Sequence, residues 1–175
     1  MNDQSKLKIE PLTSVHDRPG FKCGVDSLDK YIRTQAGQDI KRHISRIYVA
    51  VLPDDLKKII GYYTLSSLSI ELKHLPEKIY VKLPKYPIPA ALIGRLAVAG
   101  FAQGNGIGRM LLADAIKRTM AVSNEIAIYA IVVDAINDKA VSFYRQYGFE
   151  PLGDNTLRLF LPLKSTRLQS DERPN

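Results

Sequence analysis

Residues 94–112 read GRLAVAGFAQGNGIGRMLL: a strand-like run, then glycines at 104, 106 and 108, then the start of a helical stripe. Glycines at such a junction let the backbone turn tightly and present N–H groups with no side chain in the way. The helix that follows adds the partial positive charge of its N-terminus. Together these predict an anion seat in Gln103-Gly104-Asn105-Gly106-Ile107-Gly108, with a pyrophosphate as its natural guest. A phosphate loop of the Walker type ends in Gly-Lys-Ser/Thr, whereas Gly108 is followed by Arg109-Met110, which excludes that reading. A dinucleotide fingerprint requires a third glycine where Arg109 stands and a place after the chain's first strand, and neither condition is met. Taken as an isolated hexapeptide, the segment also fits a turn that serves chain geometry alone.

Outward from this turn, the hydrophobic pattern alternates strands and helices. Strands are expected over residues 6–12, 46–52 and 59–70, the last two forming a hairpin around Pro53-Asp54-Asp55. Asp26 is read as the cap of a helix starting near Ser27, with Leu28, Tyr31 and Ile32 on its stripe. Residues 72–89 carry Pro76, Pro84, Pro87 and Pro89 among four lysines, which forbids a central strand or long helix and predicts an extended loop with a short helical turn. A strand over 90–98 leads into the glycine turn and a helix over 104–120. The apolar run 127–133 reads as a strand buried on both faces. Asn137 or Asp138 opens the next helix, which carries Ala140, Phe143, Tyr144 and Tyr147 inward and ends in a left-handed Gly148. Residues 156–163 close the order β-α-β-β-loop-β-α-β-α-β. This predicts a single α/β domain over residues 1–164, a mixed central β-sheet flanked by helices, with a frayed polar tail from 165 to 175.

Composition narrows the function. The 175 residues suffice for one core, and the lone Cys23 excludes an intrachain disulfide, in keeping with a cytoplasmic location. His16, His43 and His74 lack ligand spacing, so no metal is expected. Neither a signal peptide nor a membrane span is evident. The net charge of +7 fits a polyanionic partner and equally fits a generally basic surface.

With these residues in view, the segment Gln-x-x-Gly-x-Gly at a helix start resembles the coenzyme A pyrophosphate loop of the GNAT acetyltransferases. Gly94-Arg95-Leu96-Ala97-Val98 resembles the family strand that pairs with the pantetheine arm, and Phe143-Tyr144-Arg145-Gln146-Tyr147-Gly148-Phe149 resembles the family's FY-x-x-x-GF segment. Phe21-Lys22-Cys23-Gly24-Val25-Asp26-Ser27-Leu28-Asp29 and Gly61-Tyr62-Tyr63-Thr64-Leu65-Ser66 are similar to segments of one subgroup, the TacT- and AtaT-like toxins of type II toxin–antitoxin systems. The resemblance spans about residues 21–162. It implies the GNAT acyl-CoA N-acyltransferase fold, acetyl-CoA as co-substrate, and acetylation of the amino group of aminoacyl-tRNA, which blocks translation. It further implies a ribbon-helix-helix antitoxin, operator DNA reached only through the antitoxin complex, and a homodimer.

Roles for individual residues follow. The resemblance implies that Leu96, Ala97, Val98, Gln103, Gly104, Asn105, Gly106, Ile107, Gly108 and Phe143 hold the cofactor. Val98 offers a backbone N–H to the oxyanion, and Tyr144 is the general acid for the departing thiolate. Residue chemistry alone fits Tyr144 as well to a core tyrosine with a satisfied hydroxyl. Arg109 reads either as a phosphate ligand or as a solvated arginine, and Asn137 as a helix cap that also lies where family members contact the cofactor arm. No carboxylate base stands out, Glu71 near the end of the long strand reading either as a candidate base or as an exposed loop residue. An α-amino acceptor, with a pKa of about 7.7–8.0, needs a base less than a lysine of about 10.4. Lys30, Arg33, Lys41, Arg42, Arg46, Lys73, Lys78, Lys82 and Lys85 fit either a solvated surface or a phosphate track, with Tyr86 able to stack on a base. Two rivals remain: a GNAT enzyme acting on a small-molecule or protein amine, and an idle binding module that represses its own operon with a partner.

Overall fold

The computed structural model describes residues 7–164; Lys6 and the tail expected over 165–175 lie outside them. The elements run β1 (Lys8–Pro11), α1 (Asp26–Lys30), α2 (Ala36–Lys41), β2 (Arg46–Val51), β3 (Gly61–Ile70), α3 (Glu77–Tyr80), β4 (Ile88–Ile93), β5 (Leu96–Val98), α4 (Ile107–Val122), β6 (Ala130–Asp134), α5 (Asp138–Arg145), β7 (Glu150–Leu152) and β8 (Asn155–Pro162). They fall into two compact units: residues 7–66 with 95–116, and residues 67–94 with 117–164.

The first unit carries the antiparallel strands β1, β2, β3 and β5. The expected hairpin forms with Arg46 opposite Leu65 and Ala50 opposite Gly61, and β5 lies on the other side of β3 with Val98 opposite Gly61. A Cβ at Gly61 would stand 2.9 Å from the Ala97 carbonyl oxygen and 2.9 Å from Leu111, so only glycine lets the first turns of α4 settle this close to the sheet. Phe21, Ile32, Val49 and Tyr62 centre the core on the other side. A π-helical turn, Tyr31–Gln35, joins α1 to α2.

Two helix starts differ from expectation. Asp26 is the first residue of α1 rather than its cap: Val25 precedes the helix and makes no side-chain cap bond, while Asp26 and Asp29 complement the dipole of the first turn. Helix α4 starts at Ile107 rather than Gly104, because Gly104 and Gly106 have φ of +80° and +78°, outside the helical region. The single strand expected over 90–98 is divided at Gly94-Arg95, where the Arg95 N–H donates to the Thr64 hydroxyl (3.0 Å) instead of to a strand carbonyl.

The second unit contains a mixed sheet in the order β4-β6-β8-β7. Strands β4 and β6 run parallel from Ala90 opposite Ala130 to Ile93 opposite Val133, and β8 is antiparallel to both β6 and β7. Residues Ala130 to Val133 are buried, as expected for a strand covered on both faces. Ile70, Leu75, Ile88, Val132 and Phe160 form this unit's core. Strand β7, which the pattern did not announce, is three residues long and holds Pro151. Among the described residues, no helix is long and apolar enough to cross a membrane, and no group of His, Cys, Asp and Glu is arranged to hold a metal ion.

Candidate active site

In the first unit the glycine turn is held from beneath by its own leading residue. Gln103 donates through Nε2 to the carbonyls of Cys23 (2.8 Å) and Val98 (2.9 Å). Cys23 in turn donates its N–H to the buried carboxylate of Asp29 (2.8 Å), across a turn with Gly24 at φ +91°. The front motif thus closes a rigid loop whose carbonyl anchors the glycine turn. The Gln103 side chain braces the turn. Asn105 donates to the Ala102 carbonyl (3.2 Å) and likewise serves the turn.

Above this brace, the backbone N–H groups of Gly104, Gly106, Ile107, Gly108 and Arg109 have no acceptor among the described residues. The first turn of a sixteen-residue helix leaves its N–H groups unpaired by geometry. The left-handed glycines extend the row before it, and a Cβ at Gly104 would meet nothing within 4 Å. A clustered set of donors at a helix N-terminus, bare of side chains, suits the diphosphate of an acyl-CoA.

The adjoining strand offers a second set. Thr64 donates its N–H to the Arg95 carbonyl and Ala99 donates to the Ile60 carbonyl, so the residues of β5 whose N–H and C=O face β3 are the odd-numbered ones. Leu96 and Val98 therefore turn their backbone groups to the opposite edge, which no strand of this unit covers. The Val98 N–H points to that edge, and the Val98 carbonyl accepts from the Gln103 side chain.

In the second unit, Asn137 caps α5 by accepting from the Ala140 N–H (2.9 Å), which settles its structural role. Tyr144 follows two turns later with its ring buried between Phe143 and Phe149, at centroid distances of 5.2 and 5.6 Å. Its hydroxyl has no hydrogen-bond partner among the described residues. The other buried tyrosines all have one: Tyr31 donates to Asp39 (2.8 Å), Tyr62 to the Leu28 carbonyl (2.8 Å) and Tyr63 to Asp114 (2.6 Å). A core tyrosine with a satisfied hydroxyl is thus what Tyr144 is not. Burial first, and the Asp134 carboxylate second, push its hydroxyl well above the ordinary tyrosine value. Arg158 clasps Asp134 with two hydrogen bonds of 2.7 and 2.9 Å, a pair the strand pattern gave no sign of. Glu71 is fully exposed, and Lys73 holds its carboxyl below the usual range, so it is no general base.

Two clefts lie elsewhere. One of about 690 Å³ in the first unit is lined by Lys22, Lys57, Lys58 and Phe101 among others, and one of about 300 Å³ in the second by Glu71, His74, Leu152 and Arg158. Neither includes the glycines of the turn or Tyr144. Arg95, which the sequence sets close to the proposed cleft, carries its guanidinium 3.7 Å above the Tyr31 ring. Its place in the GRLAV run was visible, but its aromatic partner lies 64 positions away.

A donor-lined turn at a helix start, beside a strand edge left open, is the layout of an enzyme that takes an acyl group from coenzyme A. The chain belongs to the acetyltransferase (GNAT) family, whose model matches residues 25–149. The Sinorhizobium fredii protein named "Probable toxin TacT" is 33% identical over 172 residues, covering 93% of this chain and 94% of its own length. A tRNA-acetylating toxin of Mycobacterium tuberculosis is 33% identical over 156 residues, covering 89% and 92%. Among solved structures, a tyrosine-to-phenylalanine mutant of KacT superposes with a TM-score of 0.88 at 33% identity, over 94% of this chain and 99% of that one. AtaT complexed with acetyl-methionyl-tRNAfMet gives 0.87 at 34% identity, over 94% and 99%. An AtaT tyrosine mutant bound to the C-terminus of the antitoxin AtaR gives 0.81 at 30% identity, over 96% and 99%. The fold is that of the GNAT acyl-CoA N-acyltransferases, a mixed sheet flanked by helices.

Proposed function

We propose that the chain is a toxin that transfers acetyl from acetyl-CoA to the α-amino group of aminoacyl-tRNA and so stops translation. The observation that carries the reading is the hydroxyl of Tyr144, which has no hydrogen-bond partner among the described residues although its ring is buried. The other buried tyrosines bond their hydroxyls within the fold, so the Tyr144 hydroxyl is the one left free to meet a ligand. The neutral amine attacks the thioester carbonyl and a C–N bond forms. The Val98 N–H stabilises the oxyanion, the C–S bond breaks, and the thiolate takes the Tyr144 proton. The proton released by the new ammonium passes to solvent and Tyr144 is reprotonated. The N–H row of Gly104 to Arg109 holds the diphosphate; whether the Arg109 side chain joins it is tested by Arg109→Ala.

The sequence singles out no strong carboxylate base, which favours an α-amino acceptor, whose pKa of about 7.7–8.0 leaves a fair share neutral at pH 7. The relatives named above supply the acceptor class and the antitoxin. By the same likeness, the partner is a ribbon-helix-helix antitoxin, operator DNA is reached through that complex, the protein forms a homodimer, and it works in the cytoplasm. The deciding measurement uses labelled acetyl-CoA with a mixture of charged tRNAs, free amino acids and bulk protein. Label on charged tRNA alone is expected. Label on protein or small amines instead would move the chain to the rival reading, a GNAT enzyme of different acceptor.

A further inference from the structure

The proline-rich segment has a two-sided construction. Leu75, Ile79 and Leu83, four residues apart, pack on the second unit's core, Leu75 buried and the other two partly so. Backbone bonds from Ile79 and Tyr80 to the Pro76 carbonyl, from Leu83 to Tyr80 and from Tyr86 to Pro84 hold the segment in shape. Pro76 and Pro84 stiffen it further. Between Glu77 and Pro87 all the other residues are exposed. Tyr80, Val81 and Tyr86 are 38%, 62% and 63% exposed, and Lys78, Lys82 and Lys85 are exposed between them. None of these three lysines has an ion-pair partner among the described residues, whereas Lys73 is paired with Glu71. The one acidic residue from 75 to 90 is Glu77.

Exposed tyrosines interleaved with unpaired lysines on an ordered scaffold match one chemistry best. Lysines alone would suit any polyanion. Flat rings beside them suit a strand whose bases are unstacked and open to a π-face. A duplex hides those faces, and an acidic peptide gives the rings nothing planar to lie on. We propose that this face seats the single-stranded 3′ end of the acceptor RNA, Tyr80 and Tyr86 stacking on bases and Lys78, Lys82 and Lys85 meeting phosphates. The proposal rests on the reading of aminoacyl-tRNA as substrate and adds where the chain grips it.

The test compares the full chain with Tyr80→Ala, Tyr86→Ala, Tyr86→Phe and a triple Lys→Gln variant at 78, 82 and 85. Each alanine should raise KM for charged tRNA about tenfold, leave KM for acetyl-CoA unchanged, and be rescued by phenylalanine at 86. The triple variant should flatten the log–log salt dependence of tRNA binding by about two. Trimming the single-stranded 3′ end from total tRNA should weaken binding to the unmodified chain and leave the Tyr80→Ala/Tyr86→Ala double variant indifferent. Equal loss on trimming for both proteins, or alanine variants with unaltered KM, overturns the proposal. So does a loss confined to antitoxin binding, which would make the face a protein-docking surface. If the unmodified chain acetylates no charged tRNA, the parent reading fails, and the trimming comparison still decides this one.

Discussion

Tyr144 is the side chain on which the proposed chemistry turns. Its hydroxyl is held protonated by burial and by Asp134, so the acid form persists across neutral and mildly alkaline pH. The sign is fixed: a raised pKa delays loss of the proton, so kcat should not fall on the alkaline side until above about pH 10. Activity should rise with pH through the range where the acceptor amine loses its proton. Tyr144→Phe keeps the ring packing and removes only the hydroxyl, so kcat should drop by about 10²- to 10⁴-fold while acetyl-CoA affinity by calorimetry is unchanged. Cys23 is the opposite case. Burial, with Asp29 second, pushes its thiol up to about 11, leaving only about one thiolate in a thousand at pH 8. Native protein should therefore resist iodoacetamide, and rapid labelling without unfolding would contradict the buried setting of Cys23.

Short-range chemistry governs the elements. At Gly104, φ of +80° costs any other residue about 1–2 kcal/mol, and an added Cβ meets nothing inside the protein. Gly104→Ala should therefore fold with a small loss of stability but bind acetyl-CoA at least tenfold more weakly, since the methyl enters the space above the N–H row. At the other helix, Asn137→Ala removes the cap on Ala140 and should cost about 1 kcal/mol in urea unfolding, while Asn137→Asp restores most of it. These sites were legible in the sequence because glycine at a helix start, and asparagine before one, act through the backbone of their immediate neighbours. So were β2, β3 and β6, whose apolar runs need no distant information. What the sequence hid depends on partners far along the chain. The break at Arg95 needs Thr64, the perch of Arg95 needs Tyr31, and the brace of Gln103 needs Cys23, 80 positions earlier. Gln103 and Asn105 were expected at the cofactor, and their side chains instead hold the turn that presents its N–H groups.

At the scale of the whole molecule, the charge and the cofactor act on different observables. A net charge of +7 attracts a polyanion over a distance set by the Debye length, about 8 Å at physiological salt. RNA engages many cations at once, so its affinity should fall steeply as salt rises. On the proposed reading acetyl-CoA is held mainly by neutral N–H donors and a strand edge, so its affinity should change far less over the same range. Because the cofactor binds groups that exist only in the folded chain, it must also stabilise the fold by mass action. At a hundredfold excess over Kd the gain is about 2.7 kcal/mol. For a chain of this length that corresponds to a rise in Tm of roughly 5–10 °C. Free coenzyme A, which keeps the diphosphate, should give most of this rise, whereas a pantetheine fragment without it should give little. A fragment that stabilises as well as the whole cofactor would move the main grip from the glycine turn to the open edge of β5.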